Sequence, residues 1–479
     1  MSYERLSAQG ATLLCAESSA APLQIGALCL FEAGPLRDAA GCLRMGDLRR
    51  HIESRLAGAP RFRQKLSPIP FDLGRPVWAD DPSFDIANHV RAAALPRPGG
   101  QAELRTFVAA LLEAPLDRSR PLWECWFVDG VEGDRIAVVV KVNHVMADGM
   151  AVLEFALSVL DADPRADAET PAPWIPAPPP GSGPLLVHAL TDQLHRRVDA
   201  GWRAVTAPRH PARLISSVRT LVNAVKMTAV PAPKLVITRP VGPHRDFVWV
   251  RLPLRDLREI AGGQRVTLND VVLAIVARAL GDYLEDETGP AEVRPRVVVP
   301  VSTHIRPGEV ENRFSLMIAD LPAGSLDPVS RLREVHGDML ARKESRQAML
   351  GPLLFALGEL VTPRLLRTVA AVALRRQPFA NLAVTNLPGT DDRAFLLGSR
   401  LLELYPFVTV TGNIALIIGV VSYDGTLGVG LTADADVIGD LDRLAAAIEG
   451  SAAELTAAVR ADIEGLAGRE ARMPELVGP

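Results

Sequence analysis

The sequence predicts a mixed α/β protein built as two domains. Three observations carry that reading. At 479 residues the chain is too long for one ordinary core. Strand-type and helix-type runs interleave before and after its middle. Between them, residues 171–184 hold six prolines ahead of Gly181, which forbid a helix and suit an extended polyproline segment. The expected division is a first domain over 1–170, a crossover over 171–185 and a second domain over 186–479. The proline-rich stretch also reads as a surface loop, which is compatible with a crossover.

Taken in order, residues 23–31 read as a strand. Residues 48–56 read as a helix, with Asp47 as its N-cap. Residues 104–112 form another helix, ending before Pro115. Residues 123–128 and 136–142 form a hairpin whose turn carries Asp129, Gly130, Gly133 and Asp134. Residues 150–160 read as a helix starting straight after Gly149. Beyond the linker, 185–230 is largely helical and rich in Arg. Residues 247–254 alternate as a strand, and 268–284 carry the apolar stripe of a long helix. Strands follow at 297–302 and 314–321, then a charged helix at 329–347. The sharpest local signal is Asp424-Gly425 between apolar runs at 414–422 and 427–431, the mark of a tight hairpin. A helix over 441–459 closes the pattern.

Composition narrows the function classes. The chain is 48% hydrophobic and 23% charged, with aromatics at 5% and a net charge of −4. A nucleic-acid protein needs a basic face to collect phosphates and rings to stack on bases, and neither is favoured here. Cys15, Cys29, Cys42 and Cys125 form no Cys-x-x-Cys pair and have no histidine ladder beside them, so no metal is expected and the thiols read as buried and free. No signal-peptide pattern or membrane-spanning run is visible, which points to the cytoplasm. Residues 351–376 are apolar with Arg at intervals. They suit a bilayer interface or, by the commoner reading, a core or lid helix, so peripheral contact with a membrane or lipid droplet stays open.

The chemistry concentrates at Asn143, His144, Val145, Met146, Ala147, Asp148 and Gly149. They follow an apolar run at 136–142 that reads as a buried strand. A histidine at a strand end, with an Asp-Gly turn beyond it, presents a base at the mouth of a cleft. Imidazole takes a proton near neutral pH without strong tuning. The spacing alone recurs by chance in about one chain of this length in twenty, and its plain alternative is a satisfied histidine before an ordinary turn.

The order of further segments identifies a resemblance. His-x-x-x-Asp-Gly after a buried strand is similar to the signature of acyl-CoA-dependent acyltransferases. The chain resembles the bacterial wax ester synthase/diacylglycerol acyltransferase family over essentially its whole length. The opening at 6–13 and 23–28, Pro-Arg-Phe-Arg-Gln-Lys-Leu at 60–66 and Phe-Asp-Ile-Ala-Asn-His-Val at 84–90 follow the family's order. So do Pro121-Leu122-Trp123, Asn269-Asp270, Val-Thr-Asn-Leu-Pro-Gly at 384–389 and Ser-Tyr-Asp-Gly at 422–425. The resemblance implies two chloramphenicol acetyltransferase-like domains, each a mixed sheet covered by helices, with an active-site tunnel at their interface.

It also implies an O-acyltransferase that joins an acyl thioester to a long-chain alcohol, a diacylglycerol or a hydroxylated metabolite. His144 is the expected general base of a direct ternary mechanism. Asp148 is expected to turn away and pair with an arginine, for which Arg306 is a candidate, or to be a plain turn residue, and Gly149 to admit the following helix or a backbone angle other residues dislike. Acyl-CoA is a co-substrate and no cofactor is bound. A carrier-protein donor and a non-catalytic lipid-binding homologue are the alternatives. Pro121 and Trp123 are expected to shape the acyl channel, and Asn143, Asn269, Asp270 and His304 to face the cleft. Asn269 and Asp270 read as well as helix caps. The sequence departs from the family at Asn143, where a histidine is usual, at His304, where Arg is common, and at Glu311, where Gly is common.

Overall fold

The computed structural model describes residues 3–18, 20–146, 149–165, 171, 173–187, 191, 231–288, 293–302, 314–324, 326–344 and 377–470. Among these, fourteen strands run in chain order. They are β1 (Gln24–Glu32), β2 (Gln64–Ser67), β3 (Val77–Asp80), β4 (Val90–Ala94), β5 (Trp123–Val131), β6 (Arg135–Asn143) and β7 (Arg245–Pro253). Then come β8 (Arg296–Ser302), β9 (Phe314–Asp320), β10 (Leu382–Thr390), β11 (Phe395–Leu396), β12 (Ser399–Val408), β13 (Leu416–Tyr423) and β14 (Thr426–Asp434). The α-helices are α1 (Ala8–Ala16), α2 (Met45–Arg55), α3 (Gln101–Glu113), α4 (Gly149–Ser158), α5 (Leu254–Gln264), α6 (Leu268–Thr288), α7 (Pro328–Glu344) and α8 (Leu441–Glu470).

Two six-stranded mixed sheets dominate. The first has the order β11-β12-β1-β6-β5-β4, the second β7-β14-β13-β10-β8-β9. The crossover does not divide the sheets cleanly, because β11 and β12 come from the far side of it and β12 pairs with β1 from Ile25↔Val408 onward. β5 and β6 form the expected hairpin, with Gly130, Gly133 and Asp134 at positive φ. The β13–β14 hairpin turns on Asp424 and Gly425, both at positive φ (40° and 76°), as a tight Asp-Gly turn requires.

β6 is apolar on both faces because both are covered. Ile136, Val138 and Val142 pack into one core, Ala137 and Val139 into another. The second core includes Leu104, Val108, Leu111 and Leu112 of α3, spaced as one helical face. The second sheet is filled by α5, α6 and α8. In α8, Leu441, Leu444, Ile448, Leu455 and Val459 repeat at helical spacing and are all buried. Burying each side chain of this size contributes about 1.5–3 kcal/mol. The sheets meet where β12 lies across β14. A Cβ at Gly428 would sit 2.0 Å from the Leu404 carbonyl oxygen, and one at Gly430 1.9 Å from that of Pro406, so only glycine admits this approach.

The proline-rich segment packs on the first domain. Ala177 N–H donates to Asp80 Oδ2 at 2.9 Å, and Trp174 sits edge-on to Phe84 at 6.0 Å. Three expectations need correction. The cap position of α2 is Arg44, and Asp47 lies inside the first turn, paired with Arg44 and Arg50. α8 runs well beyond 459. Of the four thiols, Cys29 and Cys125 are buried, but Cys42 is exposed. The expected helices at 185–230 and 351–376 lie, apart from 185–187 and 191, outside the described residues.

Candidate active site

The site is built from the end of β6 and the start of α4. Asn143 is the last residue of β6, paired across to Gln24 of β1. The chain then turns, with Met146 N–H donating to the Asn143 carbonyl at 2.9 Å and Val145 N–H to its side-chain Oδ1 at 3.0 Å. An asparagine side chain closing such a turn is a local alternative to continuing the ladder. His144 stands at the second position of this turn, fixed by its own N–H, which donates to the Leu23 carbonyl at 2.8 Å. Its residue is half-buried, neither sealed in the interior nor on open surface. Gly149 opens α4. Asp148, His304 and Arg306 lie outside the described residues.

Strand alternation separates the two neighbours at the β6 end. Val138 and Val140 face one side, Val139 and Lys141 the other. On that side the buried Lys141 ammonium donates to the Leu111 and Ala114 carbonyls, each at 3.0 Å, at the end of α3. Burial lowers its pKa, against the opposing pull of Glu124. The Asn143 amide is engaged here too, its Nδ2 donating to Glu17 Oε1 at 2.9 Å.

On the opposite side lies a cavity of about 90 Å³. Its floor is the first sheet, through Ile25, Ala27 and Cys29 of β1, Trp123 and Cys125 of β5 and Val138 and Val140 of β6. Its roof is α4, through Val152, Leu153 and Phe155, and it extends to Leu404 of β12, Leu387 of β10 and Val421 of β13. No lining side chain is charged; the polar atoms among them are the Trp123 indole N–H and two thiols. The indole is spent on the Phe62 carbonyl at 2.8 Å. Burial pushes the Cys29 thiol up to about 12 and raises Cys125 as well, so neither supplies a thiolate nucleophile at neutral pH. The cavity is an apolar slot between β6 and α4, and His144, in the turn that follows β6, is not one of its lining residues.

Rings brace this slot. Trp123 stacks on His89 at 4.7 Å, His89 on Phe84 at 5.2 Å, and Phe155 on Phe62 at 3.5 Å. His89 is buried, which lowers its pKa, and its Nδ1 contacts the Trp123 carbonyl at 2.8 Å, so it is a packing element. Pro121 is buried just ahead of β5, and its carbonyl accepts the Trp123 N–H at 2.9 Å; it does not line the slot.

Asn269 and Asp270 are elsewhere. Asp270 and Thr267 cap α6 reciprocally, at 2.9 and 3.2 Å, and the same carboxylate meets His336 Nδ1 at 2.8 Å. Neither Asn269 nor Asp270 lines the slot. Among the described residues no cluster of His, Cys, Asp and Glu could hold a metal ion.

Comparisons with known proteins fit this geometry. The model of the wax ester synthase/diacylglycerol acyltransferase catalytic domain matches residues 6–272, and that of the family's C-terminal domain matches 310–456. The chain belongs to this family. It is accordingly an acyltransferase. A Mycobacterium tuberculosis protein carrying the provisional name diacylglycerol O-acyltransferase is 32% identical over 453 residues, 91% of this chain and 87% of that one. A second one, also provisionally named, is 31% identical over 446 residues, 91% of each chain. Among solved structures, the wax ester synthase/diacylglycerol acyltransferase of Marinobacter aquaeolei shares the fold with a TM-score of 0.67 and 24% identity, covering 95% of this chain and 99% of that one. The first condensation domain of the calcium-dependent antibiotic synthetase shares it at 0.58 and 16%, covering 95% and 96%. The fold is thus that of two chloramphenicol acetyltransferase-like domains.

The cavity walls and Glu17 escaped the sequence reading. Phe155 and Leu153 could have been found as the apolar face of α4. Nothing in the sequence pairs Glu17 with Asn143.

Proposed function

We propose that the chain transfers an acyl group from acyl-CoA to an alcohol, with His144 as general base and the apolar slot as the seat of the acyl chain. The observation that carries this reading is the slot itself, floored by β6 and roofed by α4, with the His144 turn at the end of β6. A hydrocarbon chain gains from every apolar surface it covers there, and no lining charge is left stranded. His144 takes the proton from the acceptor hydroxyl as its oxygen attacks the thioester carbonyl. The carbon–sulfur bond then breaks and the same proton passes to the CoA thiolate. One imidazole serves both transfers because the proton does not travel between groups. Gly149, which opens α4, is assigned to admit that helix after the turn, and Asp148 is assigned to support the turn rather than to touch substrate.

The acceptor class is a long-chain alcohol or diacylglycerol. The relatives' names and the apolar lining support it. The test is thiol release from acyl-CoA with a panel of alcohols, followed by mass spectrometry of the ester. His144→Ala is expected to lower turnover by about 10²- to 10⁴-fold while the thermal midpoint stays close to native. A well-folded variant that keeps most of its turnover contradicts the assignment. Peripheral association with a lipid surface is part of the same reading, since the acceptors are poorly soluble. Among the described residues no single helix is long and apolar enough to cross a membrane. The pair α5 and Leu268–Glu285 passes by length and composition but is bent by 106°, and its apolar face is core.

A further inference from the structure

We infer that Glu17 and Asn143 form a positioning pair that fixes the His144 turn from the face opposite the slot. This rests on the reading of His144 as the base. The hydrogen bonds close a ring. Glu17 Oε1 accepts from Asn143 Nδ2 at 2.9 Å and from Leu23 N–H at 3.3 Å. The Leu23 carbonyl accepts the His144 N–H at 2.8 Å, and Asn143 Oδ1 accepts the Val145 N–H at 3.0 Å. Asn143 is 2% exposed, with both ends of its amide engaged inside the protein, so it acts through the turn rather than on substrate. Glu17 sits just past the end of α1, and its Oε2 is held by Arg118 at 2.6 Å with the carboxylate 6% exposed. A buried carboxylate with a charge partner and two donors is a rigid anchor.

The chemistry of the pair matters as well as its geometry. A carboxamide does not gain or lose a proton near pH 7, so its grip on the turn is constant over the range in which imidazole must stay neutral. The charged groups around it are few and committed. Arg118 is on Glu17, and Lys141 is on the Leu111 and Ala114 carbonyls. Arg245 reaches the Ala20 carbonyl and Asp434, and Glu113 accepts the Arg245 N–H. Gln24, opposite Asn143, donates to Ala114 at 2.7 Å.

The experiment is a pH profile of kcat and KM for the full chain, with palmitoyl-CoA and hexadecanol as probes. Asn143→Asp keeps the acceptor for Val145 but sets a carboxylate against Glu17. At low pH the two share a proton and the bond persists. As pH rises that proton is lost and like charges part. The expected result is a new decline in kcat on the alkaline side, reaching about 10-fold or more, with KM for the thioester within about twofold. Adding Glu17→Gln to that variant restores a donor from the other partner and removes the decline. A native-shaped profile for Asn143→Asp, or a double variant as pH-sensitive as the single, overturns the inference. If Asn143→Asp does not fold, Glu17→Ala is read instead: a fall in kcat with unchanged KM supports the pair, and a native kcat overturns it. His144→Ala, run alongside, separates the two claims. If it stays active, the base assignment fails; if it is inactive while the Asn143→Asp profile is native, only the positioning role fails.

Discussion

The two sheets have the same number of strands and end in different states. The second is filled. α5, α6 and α8 lie on it, with twenty-one residues in α6 and thirty in α8, and Leu431, Ile418 and Leu382 beneath them are fully buried. The first carries the slot, roofed by α4 with only ten residues. Its floor mixes small side chains, Ala27, Cys29, Cys125 and Val140, with Ile25 and Trp123. Protein interiors pack like crystals, so a lasting apolar void needs a reason. A ten-residue cover supplies the physical one, and the proposed acyl chain would supply the functional one. The difference teaches that the proposed catalytic part of this fold is where packing was left incomplete.

Substitutions should therefore act oppositely in the two places. The largest effect on stability is expected in the filled sheet. Leu431→Ala opens a cavity where nothing can collapse, at a cost of about 2–5 kcal/mol, with turnover per folded molecule unchanged. Denaturant midpoints and active-site-normalised rates check both halves of that statement. Val140→Phe in the slot is the converse. It fills existing space, so stability changes by less than about 1.5 kcal/mol, while long acyl donors lose about 10-fold or more in kcat/KM relative to short ones. A Val140→Phe enzyme with the native chain-length preference would erase the distinction between the sheets.

The smallest effect concerns the back of the first sheet. Lys141 titrates below the ordinary 10.5 because burial penalises its charge. In the alkaline window beneath 10.5 the unfolded chain then binds more protons than the folded one, and stability from this group rises with pH there. Lys141→Met removes that slope. Comparing urea midpoints of the two proteins at pH 8 and pH 10 reads the sign.

What was legible in the sequence was local. β1, the β5–β6 hairpin, α4 and the β13–β14 turn follow from runs of a few residues and an Asp-Gly pair. β12 was missed although it completes the first sheet. Pro406 sits inside it, and proline argues against a strand. It is tolerated because β11 pairs only with Ser399 and Arg400, which leaves the rest of that side of β12 as an edge. The strand's partner, β1, is also hundreds of residues away, beyond the reach of any periodicity. Asn269 and Asp270 carried a family likeness, and the structure gives Asp270 to capping α6 and meeting His336. Asn143 reads in sequence as a lost histidine, whereas its partner Glu17 lies 126 residues earlier. The slot was the least legible feature, since a sequence lists the atoms present and not the space between them.

The measurement that tests the central claim most directly is a crystal structure with a non-transferable thioether analogue of a long-chain acyl-CoA. The alkyl chain is expected in the slot between β6 and α4, against Val140, Phe155 and Leu404, with the sulfur end at the His144 turn. A chain bound elsewhere, with the slot unchanged and His144 remote from the sulfur, contradicts the account.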